Sequence, residues 1–108
     1  MSAWQFSYYN AKVAATVDAW PVGILASFQR IARAMLEHGP DLGMPHTRAM
    51  GGGLFEIRAK GREGIGRAFY CTVTGHRIVI LHAFTKKTEQ TPQRELETAR
   101  ARLKDVTP

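Results

Sequence analysis

The 108-residue chain is poor in the features that define several large classes of protein. It has one cysteine, Cys71, so it forms no internal disulfide and brings no second thiolate to a metal. Inside a strand-like run, that residue reads as a small buried hydrophobe. No apolar stretch approaches the roughly 18 residues of a membrane span, and MSAWQFSYYN lacks the basic-then-apolar layout of a secretory leader. A cytoplasmic protein with no membrane partner is the expectation. The four histidines, His38, His46, His76 and His82, are not at zinc-binding intervals, and neither a metal nor a cofactor is expected. Glycine is concentrated at 51–53 and at 61, 64 and 66, but neither group links a strand to a helix as a nucleotide loop must. Both groups read as turns that need positive φ.

Acidic residues are scarce in one segment. Between Arg58 and Lys87, the seven cations Arg58, Lys60, Arg62, Arg67, Arg77, Lys86 and Lys87 face only Glu63. The net charge of +6 therefore resides there, since acids and bases balance elsewhere. Such a bias points to a polyanionic partner and says nothing about fold. The length fits one domain over residues 1–108.

Hydropathy patterning gives the order β-α-α-β-β-β-α. Ala3–Tyr9 is aromatic-rich and reads as a strand, with Asn10 placed to cap a helix beginning at Ala11. Val13, Val17 and Trp20 recur at helical spacing. Pro21 interrupts, and Ile24, Leu25, Phe28, Ile31, Ala32, Met35 and Leu36 begin a stronger stripe that stops at Gly39-Pro40. Residues 41–53 read as a loop. Leu54–Ala59, Arg67–Val73 and Arg77–Phe84 then predict three antiparallel strands separated by glycine turns. Thr91 is placed to cap a last helix with Pro92 at its first position and Leu96, Ala99 and Leu103 as its stripe. The expected architecture is α+β. A curved, mainly antiparallel sheet, made of the N-terminal strand plus a three-strand meander, packs on a helical hairpin and a C-terminal helix.

Alternation along the strands sorts the cations. Phe55 and Ile57 share one face, and Glu56 and Arg58 the other. Arg67 shares a face with Phe69, Cys71 and Val73, so it is either buried with them or snorkels from the strand end. Lys86 and Lys87 follow the last strand, within reach of Arg58 and Arg67, and alternation does not separate the two. Such a cluster suits phosphate, because guanidinium grips it bidentately and a lysine crowded by cations loses some preference for its charged form. A solvated basic face is the bland alternative. His82 is open between a core residue and an acid–base group, and Tyr70 between packing and stacking on a base.

The series Gly53-Leu54-Phe55-Glu56-Ile57-Arg58, Gly66-Arg67-Ala68-Phe69-Tyr70 and Leu81-His82-Ala83-Phe84-Thr85-Lys86-Lys87-Thr88, with Thr91-Pro92, resembles the phage-derived HigB-like branch of the RelE/ParE toxin superfamily. The likeness extends through Glu95 and Ala99 and takes in the hairpin ending His38-Gly39-Pro40. It implies a RelE-like fold and the toxin of a type II toxin–antitoxin system. Such a toxin is a metal-independent messenger RNA endoribonuclease that acts on the ribosome and inhibits translation, silenced by a cognate helix-turn-helix antitoxin. By position, the resemblance implies catalytic roles for Arg58, for Arg67 as the arginine opening its strand, and for Lys86 or Lys87. Lys60, Arg62, Arg77, Tyr70 and His82 are candidate RNA contacts.

Two features depart from the RelE pattern. Glu56 stands where some relatives carry a base, and the C-terminal tyrosine of some members is missing. A ParE-like DNA gyrase inhibitor is the alternative on the same fold, and a simple nucleic-acid-binding module a third.

Overall fold

The computed structural model describes residues 4–86 and 92–107. Within them the chain runs β1 (Gln5–Tyr8), α1 (Ala11–Asp18), α2 (Val22–His38), β2 (Thr47–Gly51), β3 (Leu54–Gly61), β4 (Gly64–Val73), β5 (Arg77–Lys86) and α3 (Gln93–Val106). The five strands form one mixed sheet in the order β1-β5-β4-β3-β2. β2 to β5 make an antiparallel meander, and β1 joins its far edge parallel to β5. None of the described helices is long and apolar enough to cross a membrane.

The sheet divides the core in two. On one face Val13, Val17, Trp20, Ile24, Phe28, Ile31 and Met35 of the hairpin bury Ile57, Ala59, Ala68, Tyr70, Ile78, Ile80 and Ala83. These are the stripe residues expected from spacing. On the other face α3, through Ala99, Leu96 and Leu103, covers Leu54, Phe69, Cys71, Val79 and Leu81. Three layers result, with the hairpin and the last helix on opposite sides of the sheet.

Local chemistry fixes the helix ends. Asn10 accepts a hydrogen bond from the Val13 N–H at 2.9 Å, as its type and position predict. Gly39, with φ of 103°, closes α2 while its N–H donates to Met35. Pro21 gives α2 no side-chain cap. That role falls to Glu63 in the β3–β4 turn, which accepts from the Gly23 N–H at 2.9 Å. The approach is close enough that a Cβ on Gly61 would sit 2.6 Å from the Ile24 nitrogen. Gly61 and Gly66 are therefore set by proximity rather than by positive φ, because Gly66 lies equally tight beneath Ile24 and Trp20.

Three further expectations change. Part of the 41–53 loop is the edge strand β2. Its backbone pairs with β3, and Arg100 of α3 donates to the carbonyls of Met50 at 2.8 Å and Gly51 at 3.1 Å. The glycines at 51, 52 and 53 all have positive φ, as a tight reversal after β2 requires. β4 begins at Gly64, so Arg67 lies inside the strand rather than opening it. Pro92 is the residue before α3, not its first helical position. The cap assigned to Thr91 falls outside the described residues.

Candidate anion site on the sheet

Strand register collects the cations into rows on the α3 side of the sheet. Arg48 of β2 pairs with Glu56 of β3, which pairs with Phe69 of β4, which pairs with His82 of β5. The next row is Arg58, Arg67 and Phe84, and the one after it Lys60, Ile65 and Lys86. Paired residues project to the same face, and alternate residues along each strand repeat that direction.

The third column depends on an irregularity. Phe69 pairs with His82 but Tyr70 with Ile80, so Leu81 is an extra residue in β5. This bulge reverses the alternation beyond it. Val79 and Leu81 face α3 before it and Phe84 after it, while Ile80 and Ala83 face the hairpin. His82 and Lys86 thereby arrive on the arginine face. Simple alternation from Val79 would have put them on the other.

At the centre, Arg67 and Glu56 are both fully buried and joined at 3.1 Å. The second carboxylate oxygen of Glu56 takes Arg48 at 3.4 Å, whose side chain is 42% exposed. Arg58 stands opposite Arg67, and its charge is disfavoured first by burial and then by the Arg67 guanidinium, with Glu56 opposing and Arg48 adding to the effect. Phe69 and Phe84, with ring centroids 5.8 Å apart, form an apolar floor beneath these groups.

His82 occupies the border with α3. Its Nε2 lies 2.7 Å from Glu95, and its Nδ1 3.4 Å from Arg102, which also donates to the Leu81 carbonyl at 2.8 Å. An arginine only donates, so Nδ1 accepts and Nε2–H faces the carboxylate. The ring stacks against Phe84 at 6.0 Å and is neither an enclosed core residue nor unconstrained.

The expected site residues therefore separate. Arg58, Arg67, Lys60, Lys86 and His82 share one face. Lys87 falls outside the described residues. Arg62 is exposed at the tip of the β3–β4 turn beside Glu63. Arg77 begins β5, nine residues from Lys86 and so about 30 Å away along the strand. Tyr70 requires a correction, because it lies on the hairpin face. It is fully buried, stacked on Phe55 at 5.6 Å, and donates to the Pro40 carbonyl at 2.6 Å, so no base can reach its ring. The snorkelling alternative for Arg67 is likewise overturned by its burial. Arg48 was missed because β2 has no apolar alternation to reveal it. Glu95 and Arg102, at helical i and i+7, carried a weak signal, since they share the face that bears Ala99.

The fold and the site define a small three-layer α+β domain whose central sheet gathers cations on one face. The sequence matches the family described as phage derived protein Gp49-like (DUF891) over residues 15–104. The chain belongs to that family, one associated with toxin–antitoxin systems. No curated protein matches the sequence.

Proposed function

We propose that this protein is the toxin of a type II toxin–antitoxin pair and that it cuts messenger RNA on the face carrying Arg58, Lys60 and Lys86. The observation that carries this reading is the pairing of Arg58 with Arg67 over a buried carboxylate, with two lysines in the adjoining row. The arrangement suits an RNA phosphodiester, whose charge grows on the non-bridging oxygens as the neighbouring 2′-hydroxyl attacks.

In the proposed reaction the 2′-oxygen bonds to phosphorus as the bond to the 5′-oxygen breaks. The 2′-hydroxyl proton passes to a base and the leaving oxygen gains one, which yields a 2′,3′-cyclic phosphate and a free 5′-hydroxyl. Arg58 is the group best placed to hold the phosphate in line. Arg67, sequestered with Glu56, orders the site from beneath rather than gripping the substrate. Lys86 at the strand end and His82 beside Glu95 are the described groups suited to proton transfer. Ribosome-bound messenger is the proposed substrate. The partner is an antitoxin with an acidic segment, which covers the basic face, and a helix-turn-helix domain.

Primer extension on messenger RNA after brief induction tests the reading, with Arg58→Ala beside the wild type and gyrase supercoiling assayed in parallel. New cuts with 5′-hydroxyl ends from wild type alone are expected, with activity lost about 10²- to 10³-fold in Arg58→Ala. Intact RNA with blocked supercoiling overturns the ribonuclease reading in favour of a gyrase poison.

A further inference from the structure

We infer that the cleft where α1 and α3 flank the edge of β5 is a binding site for a ribose phosphate, with Lys12 and Arg102 holding the phosphate and Thr16 accepting from a sugar hydroxyl. The cleft uses none of the arginines on the sheet, so the inference stands apart from the function proposed above.

The first observation is the cleft itself. β1 pairs with β5 only from Gln5 to Tyr8, opposite Arg77 to Ile80. The Tyr9 N–H bonds the Ile80 carbonyl at 2.8 Å, and the chain then turns into α1. Past that point the helices leave an open cleft of about 380 Å³, lined by Lys12, Val13, Thr16, His82, Ala83 and Arg102. At roughly 30 Å³ for each water it would hold about a dozen, which is room for a phosphate and its sugar. Val13 and Ala83 are buried and give it an apolar floor.

The second observation is the state of the two cations. Arg102 is oriented by neutral partners: one Nη donates to the Leu81 carbonyl at 2.8 Å and faces His82 Nδ1 at 3.4 Å, and the guanidinium lies 4.8 Å over the Tyr9 ring. Its other edge, Nε with the second Nη, has no partner among the described residues and is not buried. That edge is the pair of parallel donors that grips a phosphate bidentately. Lys12 is exposed in the first turn of α1, a turn with no acidic residue, where the helix dipole disfavours a cation. The two nearby carboxylates are engaged elsewhere, Glu95 by His82 and Asp105 by the Tyr9 hydroxyl, and neither makes an ion pair with Lys12 or Arg102. Both ring nitrogens of His82 are likewise occupied, so His82 supplies a wall and not a ligand contact.

The third observation decides the class of anion. Thr16 stands one helical turn from Lys12, and its hydroxyl donates to the Lys12 carbonyl at 2.9 Å. With its proton committed, Oγ1 offers the cleft only lone pairs. A carboxylate has no proton to give them, whereas a ribose hydroxyl does. Two donors for an anion beside one acceptor for a hydroxyl, over an apolar floor, suit a sugar phosphate better than an acidic side chain.

The test uses the full chain as wild type, Lys12→Met, Arg102→Lys, Thr16→Val and, as a control for lost charge elsewhere, Arg33→Met on the exposed side of α2. Adenosine 5′-monophosphate and inorganic phosphate are titrated by NMR, and an uncleavable 2′-O-methyl RNA oligonucleotide by fluorescence anisotropy. Lys12→Met is expected to weaken both small ligands roughly tenfold. Arg102→Lys should weaken them about threefold, because it keeps the charge and loses the fork. Thr16→Val should weaken the nucleotide about fivefold and leave inorganic phosphate at wild-type affinity. Arg33→Met should bind like wild type. Oligonucleotide binding that depends on Lys12 identifies the ligand as an RNA strand crossing the cleft, and Lys12-dependent binding of the mononucleotide alone identifies a free nucleotide; either supports the site. Wild-type affinity in Lys12→Met overturns it, as does an equal loss in Arg33→Met. Equal losses of nucleotide and phosphate in Thr16→Val overturn the sugar contact. A cleft that shifts with a polyglutamate peptide and with neither phosphate probe is a protein-docking surface, and that result also overturns the inference. If Arg102→Lys does not fold, the exposed Lys12 decides by the same readouts. Messenger cleavage by the wild type is scored separately by primer extension, so loss of the ribonuclease reading leaves a positive nucleotide result standing.

Discussion

Arg58 and Arg67 are direct partners across β3 and β4, two guanidinium groups side by side on one face of the sheet. Like charges opposite each other on adjacent strands destabilise a sheet. Here the buried carboxylate of Glu56, one row away and 3.1 Å from Arg67, makes the pairing tolerable. Arg67 is thus committed to the interior, and Arg58 is left partly exposed beside a charge it cannot escape. Those two environments give the arginines separate tasks although their sequence contexts look alike.

Removal of the compensating carboxylate should be costly. Glu56→Ala leaves Arg67 charged in a dry site, and a loss of about 3–5 kcal/mol is expected in urea unfolding. The double variant Glu56→Leu with Arg67→Met removes both charges and should recover most of that loss. A single variant as stable as wild type would show that the buried pair does not carry this coupling.

The placement of Tyr70 on the hairpin face gives an opposite expectation for binding. Tyr70→Phe loses the bond to the Pro40 carbonyl and should lower stability by about 1 kcal/mol. Affinity for single-stranded RNA, measured by anisotropy, should match wild type. A large loss of affinity at unchanged stability would put the ring back among the RNA contacts.

Acid should weaken the seam between the β3–β4 turn and α2. The Glu63 carboxyl titrates below the ordinary glutamate range, chiefly because the Gly23 N–H bonds to its charged form. A depressed folded-state value means that the contribution is fully present above the unfolded value, near pH 4.3, and is lost as pH falls through the folded one. Thermal unfolding from pH 7 to pH 3 should show a smaller acid-side decline in Glu63→Gln than in wild type. Parallel declines would remove Glu63 from the pH dependence.

The same seam tests close packing. In Gly61→Ala the new methyl meets the Ile24 nitrogen at 2.6 Å and the Gly23 carbonyl carbon at 2.7 Å, and neither backbone atom can rotate away. A loss of about 1–3 kcal/mol is expected in chemical denaturation. Gly61→Ala with wild-type stability would mean that α2 shifts without cost.

Much of the architecture is legible in the sequence. The stripe from Val13 to Met35, the Asn10 cap, the Gly39 stop and the meander from Leu54 onward all rest on periodicities and turn residues that act within a few positions. The strand β2 was not legible, because Thr47-Arg48-Ala49-Met50-Gly51 has neither alternation nor a β-branched run. It is a strand because β3 offers it an unpaired edge and Arg100 fastens its end. Arg48 was invisible as a site residue for the same reason.

The sequence by itself determined the order of most elements, the two apolar stripes that sandwich the sheet, and the concentration of positive charge between Arg58 and Lys87. Tertiary structure alone decided which of those charges meet. The extra residue at Leu81 turns His82 and Lys86 onto the face of Arg58, because side-chain direction has period two and one inserted residue reverses it. Cross-strand register buried Arg67 against Glu56 and brought Arg48 beside them. Those contacts join strands distant in sequence, so no local pattern could specify them.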